Sequence, residues 1–159
     1  MSGSIVQFCS DLPKVAFAPG EDLMTEGSAT GRLYVLADGT VEILKEGFRI
    51  NLVSGPGAIL GDMSILLDIP HMATVRAVTS CTAYVTTEGR AFLQAHPEVS
   101  YALAEMLAQR LNGVTAYLVD LKRQFEGETN HLGMVDEILE TLLHKQRGRF
   151  TPGSDRDLE

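Results

Sequence analysis

Two short clusters in this chain have the residue types and spacing to hold an anion: Gly61-Asp62-Met63-Ser64 and His71-Met72-Ala73. Both lie in the run from Gly55 to Val75, GPGAILGDMSILLDIPHMATV. Its order is a short apolar strand, a glycine turn, about a turn and a half of helix closed by Pro70, and a strand beginning near Met72. A glycine leading into a helix leaves backbone N–H groups unpaired and directed outwards, where they can cradle an anion. By the glycine rule alone, Gly61 reads as a tight turn with no ligand. Asp62 either caps the helix or accepts hydrogen bonds from ligand hydroxyls. His71 is either a solvent-exposed loop side chain or a partner of the anion. In the second case it must be protonated, and affinity rises as pH falls through its titration.

Other chemistry finds little support. Ser54 and Ser64 have no histidine–carboxylate pattern around them, and His96, His131 and His144 lack metal-ligand spacing. Cys9 and Cys81 stand far apart and read as free, packed thiols. The expectation is a protein that is not an enzyme, with no catalytic residues, no metal and no cofactor.

The elements that must position the two clusters follow from glycine spacing. Gly20, Gly27, Gly31, Gly39, Gly47, Gly55, Gly57 and Gly61 punctuate short apolar runs from Val15 to about Thr87, which indicates a sandwich or barrel. Arg32 to Ala37 is expected to form a hairpin with Thr40 to Lys45 across Asp38-Gly39, with a second hairpin near Glu46-Gly47. Ala73 to Ala77 and Ala83 to Thr86 supply closing strands. Ile5, Val6 and Phe8 suggest a brief helix before Pro13.

Helical periodicity begins at Glu88, with Phe92, Leu93, Val99, Leu103 and Met106 on one face and a corner at His96-Pro97. Leu107, Leu111, Val114, Leu118, Leu121 and Phe125 then recur at alternating spacings of four and three, a heptad seam. The seam either pairs two copies of the chain or packs back on its own barrel. Gly127 to Gly133 reads as a break. Met134, Val135, Ile138, Leu139 and Leu142 form a last helix, and the tail FTPGSDRDLE reads as disordered. The expected parts are therefore residues 1–126, 127–148 and 149–159. No internal repeat is evident.

Composition narrows the partners. The 159 residues are 45% hydrophobic and 21% charged, ordinary for a soluble globular protein. No run approaches the roughly 18 apolar residues of a membrane span. The opening MSGSIVQFCS has no secretory pattern, so the expected location is cytoplasmic, without membrane contact. A net charge of −8 lacks the basic footprint of a nucleic-acid-binding protein.

In order and spacing, Val15 to Phe125 resembles the cyclic-nucleotide-binding domain of catabolite-activator-type regulators, cyclic-nucleotide-dependent kinases and gated channels. The matching residues are Pro19-Gly20-Glu21, Glu26-Gly27, Leu33-Tyr34-Val35-Leu36, Asp38-Gly39-Thr40-Val41, Gly57, Gly61-Asp62-Met63-Ser64 and Pro70-His71-Met72-Ala73-Thr74-Val75. The resemblance implies a mainly β fold with flanking helices, a β jelly-roll barrel followed by a long dimerisation helix and a short C-terminal helix. It also implies that Gly61, Asp62, Met63, Ser64, His71, Met72 and Ala73 hold the cyclic phosphate and ribose, and that the long helix covers the base. Asn112 is the candidate there, against the plainer reading of a solvated helix residue. Three positions depart from the family pattern. Asp62 stands where glutamate usually takes the ribose hydroxyl, His71 where arginine usually pairs with the phosphate, and Met72 where a small or hydroxylated residue is common.

Catabolite-activator-type proteins follow the dimer helix with a helix-turn-helix. From Gly127 onward this chain has seven acidic against four basic side chains and one clear helix, so direct DNA binding is not expected. The expected function is a homodimeric sensor that binds cyclic AMP or cyclic GMP weakly and signals through its dimer helix to an unknown downstream protein. The alternative is a degenerate domain that binds no nucleotide and serves as a dimeric interaction scaffold.

Overall fold

Short β-branched runs between Lys14 and Thr86 form eight strands in the computed structural model of the chain, which describes residues 5–125 and 129–144. They are β1 (Lys14–Phe17), β2 (Asp22–Met24), β3 (Leu33–Asp38), β4 (Thr40–Lys45), β5 (Phe48–Ser54), β6 (Ile59–Leu60), β7 (Thr74–Ala77) and β8 (Cys81–Thr86). They make two four-stranded sheets, ordered β1-β8-β3-β6 and β2-β7-β4-β5, with every pair antiparallel. This is the two-sheet arrangement expected from the glycine pattern, and the jelly roll that the family resemblance implies. Leu23, Met24, Tyr34, Leu36, Val41, Leu60, Val75, Ala77, Cys81 and Ala83 form its buried core.

The chain divides into two compact units, Met1–Ala104 and Glu105–Glu159. In the first, α1 (Asp62–Leu67) follows β6, and α2 (Gly89–Ala95) follows β8. His96 ends α2, and Pro97 opens the 28-residue α3 (Pro97–Gln124), so the expected corner stands. Upstream, the turn Gln7–Cys9 buries Ile5 and Cys9, and Phe8 meets the His96 ring edge-on at 6.1 Å. Both cysteines are free and buried, and burial pushes the Cys9 thiol pKa up.

The Asp38-Gly39 hairpin does not form. β3 pairs with β6 and β8, and β4 with β5 and β7, so this dipeptide carries the chain from one sheet to the other. Gly39 has φ +100, and a Cβ there would lie 2.5 Å from the Ser80 carbonyl oxygen and 2.7 Å from Cys81 Sγ. The glycine answers to a close approach by the start of β8. The second hairpin does form: Lys45 faces Phe48 across Glu46 (φ 52) and Gly47 (φ 83), the two positive φ values of a type I′ turn.

In the second unit, α3 continues through the heptad seam. Within the single chain Leu107, Leu118 and Leu121 are half-buried, while Leu111, Val114 and Phe125 are exposed. α4 (Thr129–His144) carries Met134 to Leu142 as expected, and Lys122 of α3 pairs with Asp136 of α4. Gly133 lies inside α4, so the expected break does not extend to it. Residues 126–128, the tail 149–159 and the boundaries expected at 126/127 and 148/149 lie outside the described residues.

Candidate ligand-binding site

α1 begins at a backbone reversal. Gly61 occupies its cap position in the left-handed region (φ 88, ψ 4), and Asp62 is the first helical residue rather than the cap. A Cβ at Gly61 would lie 2.7 Å from the Arg32 carbonyl oxygen and 3.3 Å from Met24 Cε, so packing alone demands glycine there. The helix ends with Asp68 also left-handed (φ 57), its N–H bonded to the Ser64 carbonyl. Met72 and Ala73 then lead into β7.

Among the described residues, the buried polar or charged side chains are Asp62, 5% exposed, and His71, 3% exposed. Both belong to the two clusters singled out from the sequence. Interiors hold such groups only when they are partnered. Asp62 is engaged within the protein. The partners of His71 are explicit. Nδ1 lies 3.1 Å from Ser64 Oγ, and Nε2 lies 2.8 Å from Thr30 Oγ1. Ser64 Oγ donates to the Gly61 carbonyl at 3.0 Å, and Thr30 Oγ1 accepts the Arg32 N–H at 3.2 Å. A carbonyl cannot donate, so the Ser64 proton is committed to Gly61 and its oxygen must accept from Nδ1–H. Nε2 of the neutral ring then accepts from the Thr30 hydroxyl. The backbone is held as well: His71 N–H donates to the Ser28 carbonyl at 2.9 Å, and Gly27 N–H to the His71 carbonyl at 2.8 Å.

The solvent-exposed reading of His71 is therefore corrected. The ring is turned inward and ties the α1 turn to the loop before β3. Burial lowers its pKa from the ordinary 6.5, so it is neutral at pH 7. The sign of the pH effect follows. The unfolded chain takes up a proton on this histidine at a higher pH than the fold does. The stability it contributes is complete above 6.5 and is lost as pH falls through its lowered folded value. The urea midpoint should drop between pH 7.5 and 5.5, and His71→Gln should flatten that drop.

The structure thus brings Gly61, Asp62, Met63, Ser64 and His71 together at one corner, with Met72 and Ala73 on the segment that leads into β7. Met63 and Met72 are partly exposed there, at 39% and 42%. Asn112 lies in the second unit on an exposed stretch of α3. A cleft of about 300 Å³ opens between the loop Ala29–Gly31, α1 and the β8–α2 junction. Of the expected ligand residues it is lined only by Ser64, and it carries Thr30, Asp68, Glu88 and Arg90 as well. Sequence reasoning missed Thr30, which has no local signal, and Lys45, whose Nζ donates to the Met72 carbonyl at 2.6 Å.

Barrel, cassette helix and following helices together match a known family. A family model described as cyclic nucleotide-binding domain covers residues 14–95. The chain belongs to the cyclic nucleotide-binding domain family. It is 29% identical over 124 residues to the CRP-like cAMP-activated global transcriptional regulator of Mycobacterium tuberculosis, covering 74% of this chain and 55% of that one. It is 34% identical over 65 residues to the cAMP-dependent protein kinase regulatory subunit of Yarrowia lipolytica, covering 41% of this chain and 17% of the subunit. The chain thus spans about half or less of these relatives. The crystal structure of Thermus thermophilus catabolite activator protein superposes with a TM-score of 0.60 at 22% identity, over 95% of this chain and 87% of that one, which shows the fold. The cyclic nucleotide-binding domain described here is thus a regulatory module by family. Among the described residues no helix is long and apolar enough to cross a membrane, and no cluster of three metal-ligating side chains occurs.

Proposed function

We propose that this domain is a non-catalytic sensor that takes cyclic AMP or cyclic GMP at the corner formed by Gly61 to Ser64 and His71 to Ala73. The observation that carries the reading is that the buried polar side chains among the described residues, Asp62 and His71, both lie at that one corner. The names of two relatives, cAMP-activated and cAMP-dependent, point to the same ligand class. Binding is weak because a neutral, inward-facing imidazole stands where the family's guanidinium would meet the phosphate. A missing charge-assisted hydrogen bond lowers affinity roughly ten- to a hundredfold. Asp62 supports the ribose, and Asn112 is the proposed contact to the base. The reading needs no metal or prosthetic group.

The output is proposed to run through a homodimer joined along Leu107, Leu111, Val114, Leu118, Leu121 and Phe125, to a downstream protein rather than to DNA. Exposure of Leu111 and Val114, at 45% and 52% in the single chain, supports a partner for the seam. A net charge of −8 disfavours a DNA surface within this chain.

A second reading has its own support. The fold already uses both ring nitrogens of His71, as a degenerate domain acting only as a dimeric scaffold would do. Calorimetric titration at pH 7.5 and 5.5, with mass measured on the same samples, separates the two. The sensor gives saturable heat with cyclic AMP or cyclic GMP from a dimer, and tighter binding at pH 5.5 would make protonated His71 the phosphate partner. No heat at about 1 mM ligand at either pH leaves the scaffold.

A further inference from the structure

The inward turn of His71 means that this side chain does not supply the cation that a cyclic phosphate would need, and a lysine stands beside the same corner. Side chains alternate along β4, so Lys45 shares a face with Val41, which is fully buried, and Ile43, which packs on the core. Lys45 is the last residue of that strand and is exposed, so its side chain lies at the open end of that face. There Nζ donates to the Met72 carbonyl at 2.6 Å, in the middle of His71-Met72-Ala73. An ammonium has three donors, and this bond uses one. Its carboxylate neighbour is Glu26, whose Oε2 lies 3.8 Å away, beyond hydrogen-bond distance, while Glu26 Oε1 accepts the Glu46 N–H at 3.1 Å.

Three arginines of the barrel and its flanking helices are engaged elsewhere. Arg76 is held by Asp22 at 2.7 Å and Arg49 by Glu42 at 2.8 Å, and Arg90 reaches the Ile65 carbonyl from the cleft side of α1. We infer that Lys45 is the phosphate-binding cation of this domain, contributed by the barrel strand in place of a side chain at position 71, and that Glu26 weakens it by competing for the same charge. This inference rests on the cyclic-nucleotide reading above.

A lysine ammonium acts as a compact point charge without the two-pronged fork of arginine. The domain should therefore bind an anionic phosphate with little geometric selectivity and with marked dependence on ionic strength. Calorimetry with cyclic AMP at low salt tests the assignment on the full chain. Lys45→Met, which keeps the stem and removes the charge, should weaken binding about tenfold or more, and Lys45→Arg should stay within about threefold of wild type. Glu26→Gln keeps the oxygen that accepts the Glu46 N–H and removes the competing charge. It should tighten binding about threefold at low salt and less at high salt.

Tightening by Glu26→Gln is the outcome that a purely structural Lys45–Met72 clamp would not produce, and it remains readable if Lys45→Met fails to fold. Wild-type affinity in Lys45→Met, or unchanged or weaker binding in Glu26→Gln, overturns the role of Lys45 and leaves the cyclic-nucleotide reading standing. Absence of any heat from wild-type protein with cyclic AMP and cyclic GMP overturns both.

Discussion

Replacing His71 with arginine is expected to tighten cyclic AMP binding roughly ten- to a hundredfold while lowering stability by about 2–3 kcal/mol. The two effects have separate causes. The His71 site is only 3% exposed, and its ring is bonded by the Thr30 and Ser64 hydroxyls, which are partners for a neutral ring. A guanidinium cannot lose its proton, and burying it there unpaired would cost several kcal/mol. The arginine side chain must leave. Its departure gives up two side-chain hydrogen bonds, each worth about 0.5–1.5 kcal/mol, and opens a void beneath the corner. Outside, beside Met72 and Ala73, it is free to pair with the phosphate. Calorimetry and urea unfolding on the same preparation read the two numbers. Lost stability with unchanged affinity would mean that the corner does not present itself to a nucleotide.

The other large effect belongs to Gly61. Substitution by alanine should destabilise the domain by about 2–5 kcal/mol, from two sources. The left-handed backbone at φ 88 costs a side chain about 1–2 kcal/mol. A methyl 2.7 Å from the Arg32 carbonyl forces backbone apart at the start of β3, an overpacking cost of about 1–3 kcal/mol. Gly47→Ala is the internal control. Its φ is +83, yet nothing lies within 4 Å of the added carbon, so it should show the conformational cost alone. Urea midpoints of the two variants give the packing share by difference. Equal losses would remove the close approach from the account. Because Gly61 sets where α1 starts, its variant should also weaken any ligand binding at the corner.

These glycines show which parts of the molecule could be read from the chain. The Glu46-Gly47 turn was legible because both of its strands lie beside it in sequence and the turn chemistry decides their pairing. Asp38-Gly39 carries the same local signal and was misread. There the partner of β3 is chosen by Tyr84 and its neighbours, far along the chain, and the glycine serves the approach of Ser80 and Cys81. The cassette order, the α2–α3 corner and the last helix were visible because glycine, proline and apolar periodicity mark them locally. The orientation of His71 was hidden for the same reason that the β3 pairing was. A polar residue after Pro70 reads as surface, and only Thr30, contributed by another loop, makes an interior place for it. Lys45 was half legible: its parity with Val41 and Ile43 is in the sequence, but the Met72 carbonyl it reaches is not.

The strand pairing has a temporal consequence. β4 meets β5, β3 meets β6, β2 meets β7 and β1 meets β8, so the pairs enclose one another like nested brackets. Only the innermost bracket is local, and each outer one closes a longer loop and is slower to form. Folding should start at the Glu46-Gly47 turn and work outwards. During synthesis the first strand made is the last to find its partner. A nascent polypeptide that has not yet reached Thr86 still exposes β1 and one side of β3 as open edges.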